Sequence, residues 1–302
     1  MATRRGEAMR GRYYYWLGVM LASLAVAEQP SAIRFSETDA RRESENTIRF
    51  NLYRGYLILA QGSAGPLNNL NLLLDTGTSS TVLNQRLARR LGLVEKPASI
   101  GVANGRVQAR TTMVPSIGIG PIRRNNFPVL IRDLDFLQRA LSVPVDAVIG
   151  LDVLGQVSFM VDYTSREIHF GSPTPLPISI PLQLKGGLAT VNAELNHAPV
   201  HLLLDTGASS LILFETRMPR SVSGQSIGVV KRSTNLNGNF ERKQVWLHSL
   251  KLGEAEFGYE PAFVVRDRSD TGRDFDGLMS PAALGITRIA VDVERGVLAF
   301  SR

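Results

Sequence analysis

The chain of 302 residues contains no cysteine, which excludes disulfides, a structural thiolate metal site and lipid attachment through sulfur. Folded stability must therefore come from packing. Beyond its first residues the sequence has no apolar run approaching membrane-spanning length. A Walker-type loop and Gly-x-Gly-x-x-Gly behind a strand are absent, and the single Gly-x-Ser-x-Gly, Gly224-Gln225-Ser226-Ile227-Gly228, follows a polar stretch with Pro219 rather than an apolar strand. This removes sequence support for a phosphate loop, a dinucleotide fold and a serine-hydrolase elbow. Basic charge is present as a formal net of +7, but Arg4, Arg5, Arg10 and Arg12 against Glu7 place +3 of it in the first 27 residues. No basic block interleaved with aromatics follows, so no nucleic-acid partner is expected.

The first 27 residues read as a signal peptide. Arginines precede an apolar stretch from Tyr13 to Ala27 that ends in the small-x-small pattern Ala25-Val26-Ala27, as expected before a cleavage point. This predicts an exported protein, periplasmic or secreted, with membrane contact only through an uncleaved signal. Residues 28–47 are polar, carry Arg41-Arg42-Glu43-Ser44-Glu45 and lack apolar periodicity, the pattern of a flexible spacer.

The remainder is duplicated. Leu72-Leu73-Leu74-Asp75-Thr76-Gly77 returns as Leu202-Leu203-Leu204-Asp205-Thr206-Gly207, 130 residues later. The same offset relates Asp146 to Asp276, Asp162 to Asp292 and Phe170 to Phe300. A lone Asp-Thr-Gly is ordinary turn chemistry, whereas two copies with further matches at one offset mark a repeat. Between the copies, residues 172–184 carry spaced prolines that favour an extended connector. The expected division is thus 48–171, a linker at 172–184, and 185–302.

Short apolar or alternating runs bounded by Gly, Pro and Asn predict a mainly β protein, with strands over 48–52, 56–60, 70–74, 111–119, 127–131 and 157–161. Short helices are expected at 85–91, 134–141 and 151–154. Asn104-Gly105 and Asn237-Gly238 predict hairpins with the Asn-Gly pair central in the turn. Their spacing of 133 means that three residues are gained after the second Asp-Thr-Gly and lost before Asp276.

An aspartate at the end of an apolar strand, with Gly two residues on, places a carboxylate on a tight turn whose backbone can approach a partner closely, Gly supplying the conformational freedom. Two such turns meeting across a two-fold axis would bring their carboxyls together to share one proton, one acting as base toward water and the other as acid. The segments Leu73–Leu83 and Leu203–Leu213, with Val148-Ile149-Gly150 and the apolar helix after it, resemble aspartic peptidases, the retropepsin-like branch most closely.

That resemblance implies two homologous β lobes forming an intramolecular pseudo-dimer around a central cleft. It implies an aspartic endopeptidase with Asp75 and Asp205 as the catalytic pair, working on peptide or unfolded protein without cofactor or metal. Thr76 and Thr206 would lock the two loops, Gly77, Thr78, Gly207 and Ala208 would support them, and the hairpins at Asn104, Gly105, Asn237 and Gly238 would be flaps. The other reading, from a different functional class, is a catalytically silent two-lobed module that holds extended peptides. A monomer is expected, because the short connector holds the halves at high effective concentration.

Three departures bear on the site. Ser280 stands where the first half has Gly150, and its β-carbon is expected to disturb the loop beneath Asp205. Ala208 replaces Thr78, so only Asp75 has a neighbouring hydroxyl and should ionise more readily, giving a mildly acidic optimum. The first hairpin also lacks the flap tyrosine of pepsin-like enzymes. His197 and His201 have metal-pair spacing, but Pro199 between them argues against a helix. Asp146, Asp152, Asp162, Asp276 and Asp292 read as caps or turn residues rather than further acids.

Overall fold

The computed structural model describes residues 21–22, 46–102, 105–223, 230–235, 238–267 and 274–302. Most of residues 1–27 and 28–47 therefore lies outside the described residues. The exceptions in the first segment form β1 (Leu21–Ala22), which runs antiparallel to residues 233–234.

The first half proceeds through β2 (Thr47–Tyr53), β3 (Leu57–Ala64), β4 (Leu67–Leu74), β5 (Val82–Asn84) and α1 (Gln85–Arg90). It continues through β6 (Lys96–Val102), β7 (Gly105–Ile119), β8 (Ile122–Arg132), α2 (Asp135–Leu141), β9 (Ala147–Ile149), α3 (Leu151–Leu154), β10 (Phe159–Asp162) and β11 (Glu167–Phe170). The second half repeats this order. β12 (Ile178–Pro181), β13 (Gln183–Lys185), β14 (Leu188–Leu195), β15 (Ala198–Leu204) and β16 (Leu211–Phe214) lead to the short α4 (Arg220–Ser223). Then come β17 (Val230–Asn235), β18 (Gly238–Leu247), β19 (Leu250–Leu252), β20 (Ala255–Phe257), β21 (Glu260–Val265), β22 (Gly277–Met279), β23 (Arg288–Asp292) and β24 (Val297–Ser301).

The protein is mainly β, in two lobes built alike. β4 runs parallel to β9, pairing Leu73 with Val148, and β15 runs parallel to β22, pairing Leu203 with Leu278. β5 and β16 then lie antiparallel on the other side of β9 and β22. Alternation on β4 sends Leu72 and Leu74 into one core and Leu73 into another, as a strand buried on both faces requires. Each aspartate thus follows a strand fixed on both faces. The Asp75 and Asp205 backbone N–H groups extend the ladder by donating to Ile149 and Met279 carbonyls at 3.0 and 2.9 Å.

A central antiparallel sheet in the order β12-β24-β23-β10-β11-β2 takes three strands from each half. At its middle, Phe159 pairs with Val291, Met160 with Ala290 and Val161 with Ile289. Adding 130 to the first member of each pair and subtracting it from the second reproduces this register, so a local two-fold axis passes between Met160 and Ala290. β12 lies within the proline-bearing connector, where Ile178–Pro181 pairs with β24.

One expectation is corrected here. In both hairpins the glycine is already paired, Gly105 with Val102 and Gly238 with Asn235. The ladder therefore continues through this glycine, which the Asn-Gly reading puts in the centre of the turn. Asn104 and Asn237 themselves lie outside the described residues. Helices form at the expected places, and α2 packs into the core. Its Leu137 and Leu141 join Ile100, Val102, Val107 and Leu130 in a closed apolar cluster on one face of β6–β8.

Candidate active site

Both aspartates are fully buried, as are the threonines that follow them. The two loops are locked reciprocally. The Thr76 N–H donates to the Thr206 hydroxyl at 3.1 Å and the Thr206 N–H to the Thr76 hydroxyl at 3.1 Å. Each hydroxyl then donates to the opposite half, Thr76 to the Leu204 carbonyl at 3.0 Å and Thr206 to the Leu74 carbonyl at 3.2 Å. Four hydrogen bonds therefore cross between the halves with no water required.

This lock presses the carboxyls together. A β-carbon on Gly77 would lie 2.5 Å from the Asp205 carboxyl carbon, and one on Gly207 would lie 2.8 Å from that of Asp75. Glycine is required here by close approach to the opposite carboxyl, the approach to a partner expected of a tight Asp-Thr-Gly turn. Each glycine N–H also donates to its own aspartate, Gly77 to Asp75 Oδ1 at 2.9 Å and Gly207 to Asp205 Oδ1 at 2.8 Å.

The pair is unequal. Thr78 donates its hydroxyl to Asp75 Oδ2 at 2.6 Å, while Ala208 has no hydroxyl and offers Asp205 only its backbone N–H, and Asp205 Oδ2 has no such donor. Burial pushes the Asp75 carboxyl up, against the opposing pull of Thr78, Asp205 and the glycine N–H groups. Burial pushes Asp205 well above the usual carboxylate range, and the charge and carboxyl of Asp75 drive it further. Asp75 is thus the readier to ionise and Asp205 the holder of the proton.

The loop beneath each aspartate is built differently. In the first half the Leu151 N–H donates to the Thr78 carbonyl at 2.9 Å. The matching position is Pro281, which has no N–H. There the Ser280 hydroxyl takes over, donating to the Ala208 carbonyl at 2.6 Å and accepting from Ala283 N–H at 3.3 Å. Ser280 therefore repairs the loop rather than disturbing it, and the adjacent proline was the sequence signal that could have said so. Ser280→Ala is expected to lower unfolding free energy by about 1–3 kcal/mol, the cost of a buried carbonyl left unpaired, measurable by urea titration.

Asp152 holds the first loop from below. It accepts from the Thr81 N–H at 2.7 Å and the Thr81 hydroxyl at 2.8 Å, and burial pushes its carboxyl up to about 6. The folded value exceeds the unfolded value of about 3.9, so the folded state binds more protons between them. The associated stability is full below about pH 4 and lost as pH rises through about 6. The fall in stability from pH 4 to pH 7 should therefore shrink by about 2 kcal/mol in Asp152→Asn, read from Tm against pH.

The other acids act as caps. Asp146 and Asp276 accept the Asn71 and His201 N–H groups at 2.9 and 2.8 Å, while Asp162 and Asp292 close the turns after their strands. His197 lies in a turn with φ of 66° and His201 in β15, and no group of three or more metal-ligating side chains occurs among the described residues. Tyr56 was missed from sequence. It reaches across to hydrogen-bond Ser209 of the second loop, a contact between halves that no local pattern encodes.

A family model for aspartyl proteases matches residues 63–153 and again 191–286, together more than half of the chain. The chain belongs to the aspartyl protease family. Both matches span an Asp-Thr-Gly and the paired apolar loop beneath it, so the family pattern occurs twice in tandem. No curated protein matches the chain. Within this aspartyl protease, the half-specific features are Thr78 against Ala208, Asp152 against Ala282, and Gly150-Leu151 against Ser280-Pro281.

Proposed function

We propose that the protein is an aspartic endopeptidase in which Asp75 and Asp205 activate water against a peptide bond. The observation that supports this most is the unequal buried pair, one carboxyl supplied with two donors and the other held above the usual range. Asp75 carries the charge and takes a proton from water as the water oxygen bonds to the carbonyl carbon. Asp205 gives its proton to the carbonyl oxygen, leaving a gem-diol. The proton on Asp75 then passes to the amide nitrogen, the C–N bond breaks, and Asp205 recovers a proton from a diol hydroxyl. The products are an amine and a carboxylic acid, with no covalent enzyme intermediate.

Both carboxyls are fully buried, so peptide entry requires the β6–β7 and β17–β18 hairpins to open, and their closure would exclude water. One chain supplies both aspartates, so the monomer is the proposed working unit. The arginine-led apolar stretch before Ala27 makes export, to periplasm or exterior, part of the same proposal. Incubation with an unfolded protein between pH 3 and 7 tests the reading. Cleavage should be blocked by a peptide with a secondary alcohol in place of the scissile amide, a mimic of the diol. Inertness across a broad panel of unfolded substrates would leave the fold as a peptide-holding module.

A further inference from the structure

Arg242 on β18 is a buried cation without a carboxylate partner. It is 3% exposed, and its guanidinium carbon lies 3.8 Å from the centre of the Phe263 ring. One nitrogen donates to the Ser210 hydroxyl at 3.3 Å, while Nε has no hydrogen-bond partner. Among the described residues no acid forms an ion pair with it. A second cation, Lys231, is opposite it on β17 and lies 5.4 Å from the same ring. Burial lowers the Arg242 pKa to about 10, so it stays charged at neutral pH. An unpaired buried charge costs free energy, the condition that an incoming anion would relieve.

The position is specific to the second half. Val82 pairs with Leu130, and Leu130 with Thr111. Ile212 likewise pairs with Phe263, and Phe263 with Gln244. Arg242 therefore stands where the first half has Ala109, and Lys231 where it has Ala98. In the first half that face is apolar throughout.

The cation also opens toward the dyad. Ser210, which it contacts, is three residues beyond Gly207 and half-buried, as is Ser209. Tyr56, from the other half, bonds Ser209 and is close enough to feel the charges of both Arg242 and Asp205. A side chain entering past Ser209 and Ser210 would meet a guanidinium stacked on Phe263, with Nε free to donate.

We propose that Arg242 forms the floor of a substrate subsite on the second lobe's side of the dyad, which takes the carboxylate of an aspartate or glutamate side chain in the peptide. The inference rests on the reading of this cleft as a peptide-hydrolysing site. Arg suits the task because its planar fork matches a carboxylate and stays charged when desolvated. The apolar face around Ala109 provides no such partner on the other side, so the preference is one-sided.

The test uses unfolded peptides identical except for Glu or Gln scanned through each position beside the scissile bond, with kcat and KM measured for the wild type. At one position Glu should exceed Gln by about tenfold or more in kcat/KM, carried by KM. Arg242→Gln and Arg242→Met, the latter retaining contact with Phe263, should erase the ratio. Equal cleavage of Glu and Gln peptides at every position, or a ratio that survives both variants, overturns the proposal. Binding of the same peptides to the Asp75→Asn protein separates the two readings. A Glu preference lost with Arg242 but without wild-type cleavage sustains the subsite and defeats the peptidase reading. Absence of both cleavage and binding defeats both.

Discussion

Asp205→Asn is expected to lower kcat on an unfolded protein substrate by about 10⁴-fold or more, with Asp75→Asn at least as severe, because under the proposed mechanism each removes one of the two proton-transfer groups. The same substitution should make the protein harder to unfold at neutral pH. Burial and the neighbouring Asp75 raise the folded pKa of Asp205 well above the carboxylate range. A group raised on folding adds stability that is full below its unfolded pKa, about 3.9, and lost as pH climbs through its folded value. Wild-type Tm should thus fall on going from pH 4 to pH 7, and Asn at 205, having no proton to lose, should flatten that fall. A kcat that survives would remove Asp205 from the chemistry. A Tm profile unchanged by the substitution would show that the pair is not desolvated in the folded protein.

Thr206→Val should be the most damaging single change to stability in the loops. The methyl fits where the hydroxyl was, but the buried Thr76 N–H loses its acceptor and the Leu74 carbonyl its donor. At about 1–3 kcal/mol for each of the two orphaned groups, the loss is about 2–6 kcal/mol. Thr76→Val should match it, since the Thr206 N–H and the Leu204 carbonyl are stranded in the same way. The double variant should cost less than the sum, because each hydroxyl sits within hydrogen-bonding reach of the group that holds the other. Urea titration of the four proteins closes the cycle, and strict additivity would mean that the two locks work independently.

The pairing of the two Asp-Thr-Gly loops and the division into two β lobes were legible because they repeat at one interval, and repetition survives without knowledge of long-range contacts. Helices α1 and α3 were legible from local apolar spacing. The hairpin glycines were misplaced because register depends on partners across the ladder, where Gly105 and Gly238 are already paired. That the glycines beside the aspartates allow close approach was legible, but only the folded pair shows that a β-carbon would strike the opposite carboxyl. Ser280 looked like a defect when compared with Gly150 alone. Its role emerges only with Pro281, because one residue removes a donor and the other restores it. Arg242 carried no sequence signal at all, since its meaning comes from what it is not paired with.

The central sheet, symmetric about Met160 and Ala290, bears on inheritance. Two separate copies of one lobe could join through the same register, but a symmetric assembly must accept every substitution in duplicate. An arginine at the position of Arg242 would then face the cleft twice, and a missing hydroxyl beside one aspartate would be missing beside both. Joining the halves through residues 172–184 releases that constraint. Each side of the sheet can accumulate its own changes while the strands at its middle keep the two aspartates in step.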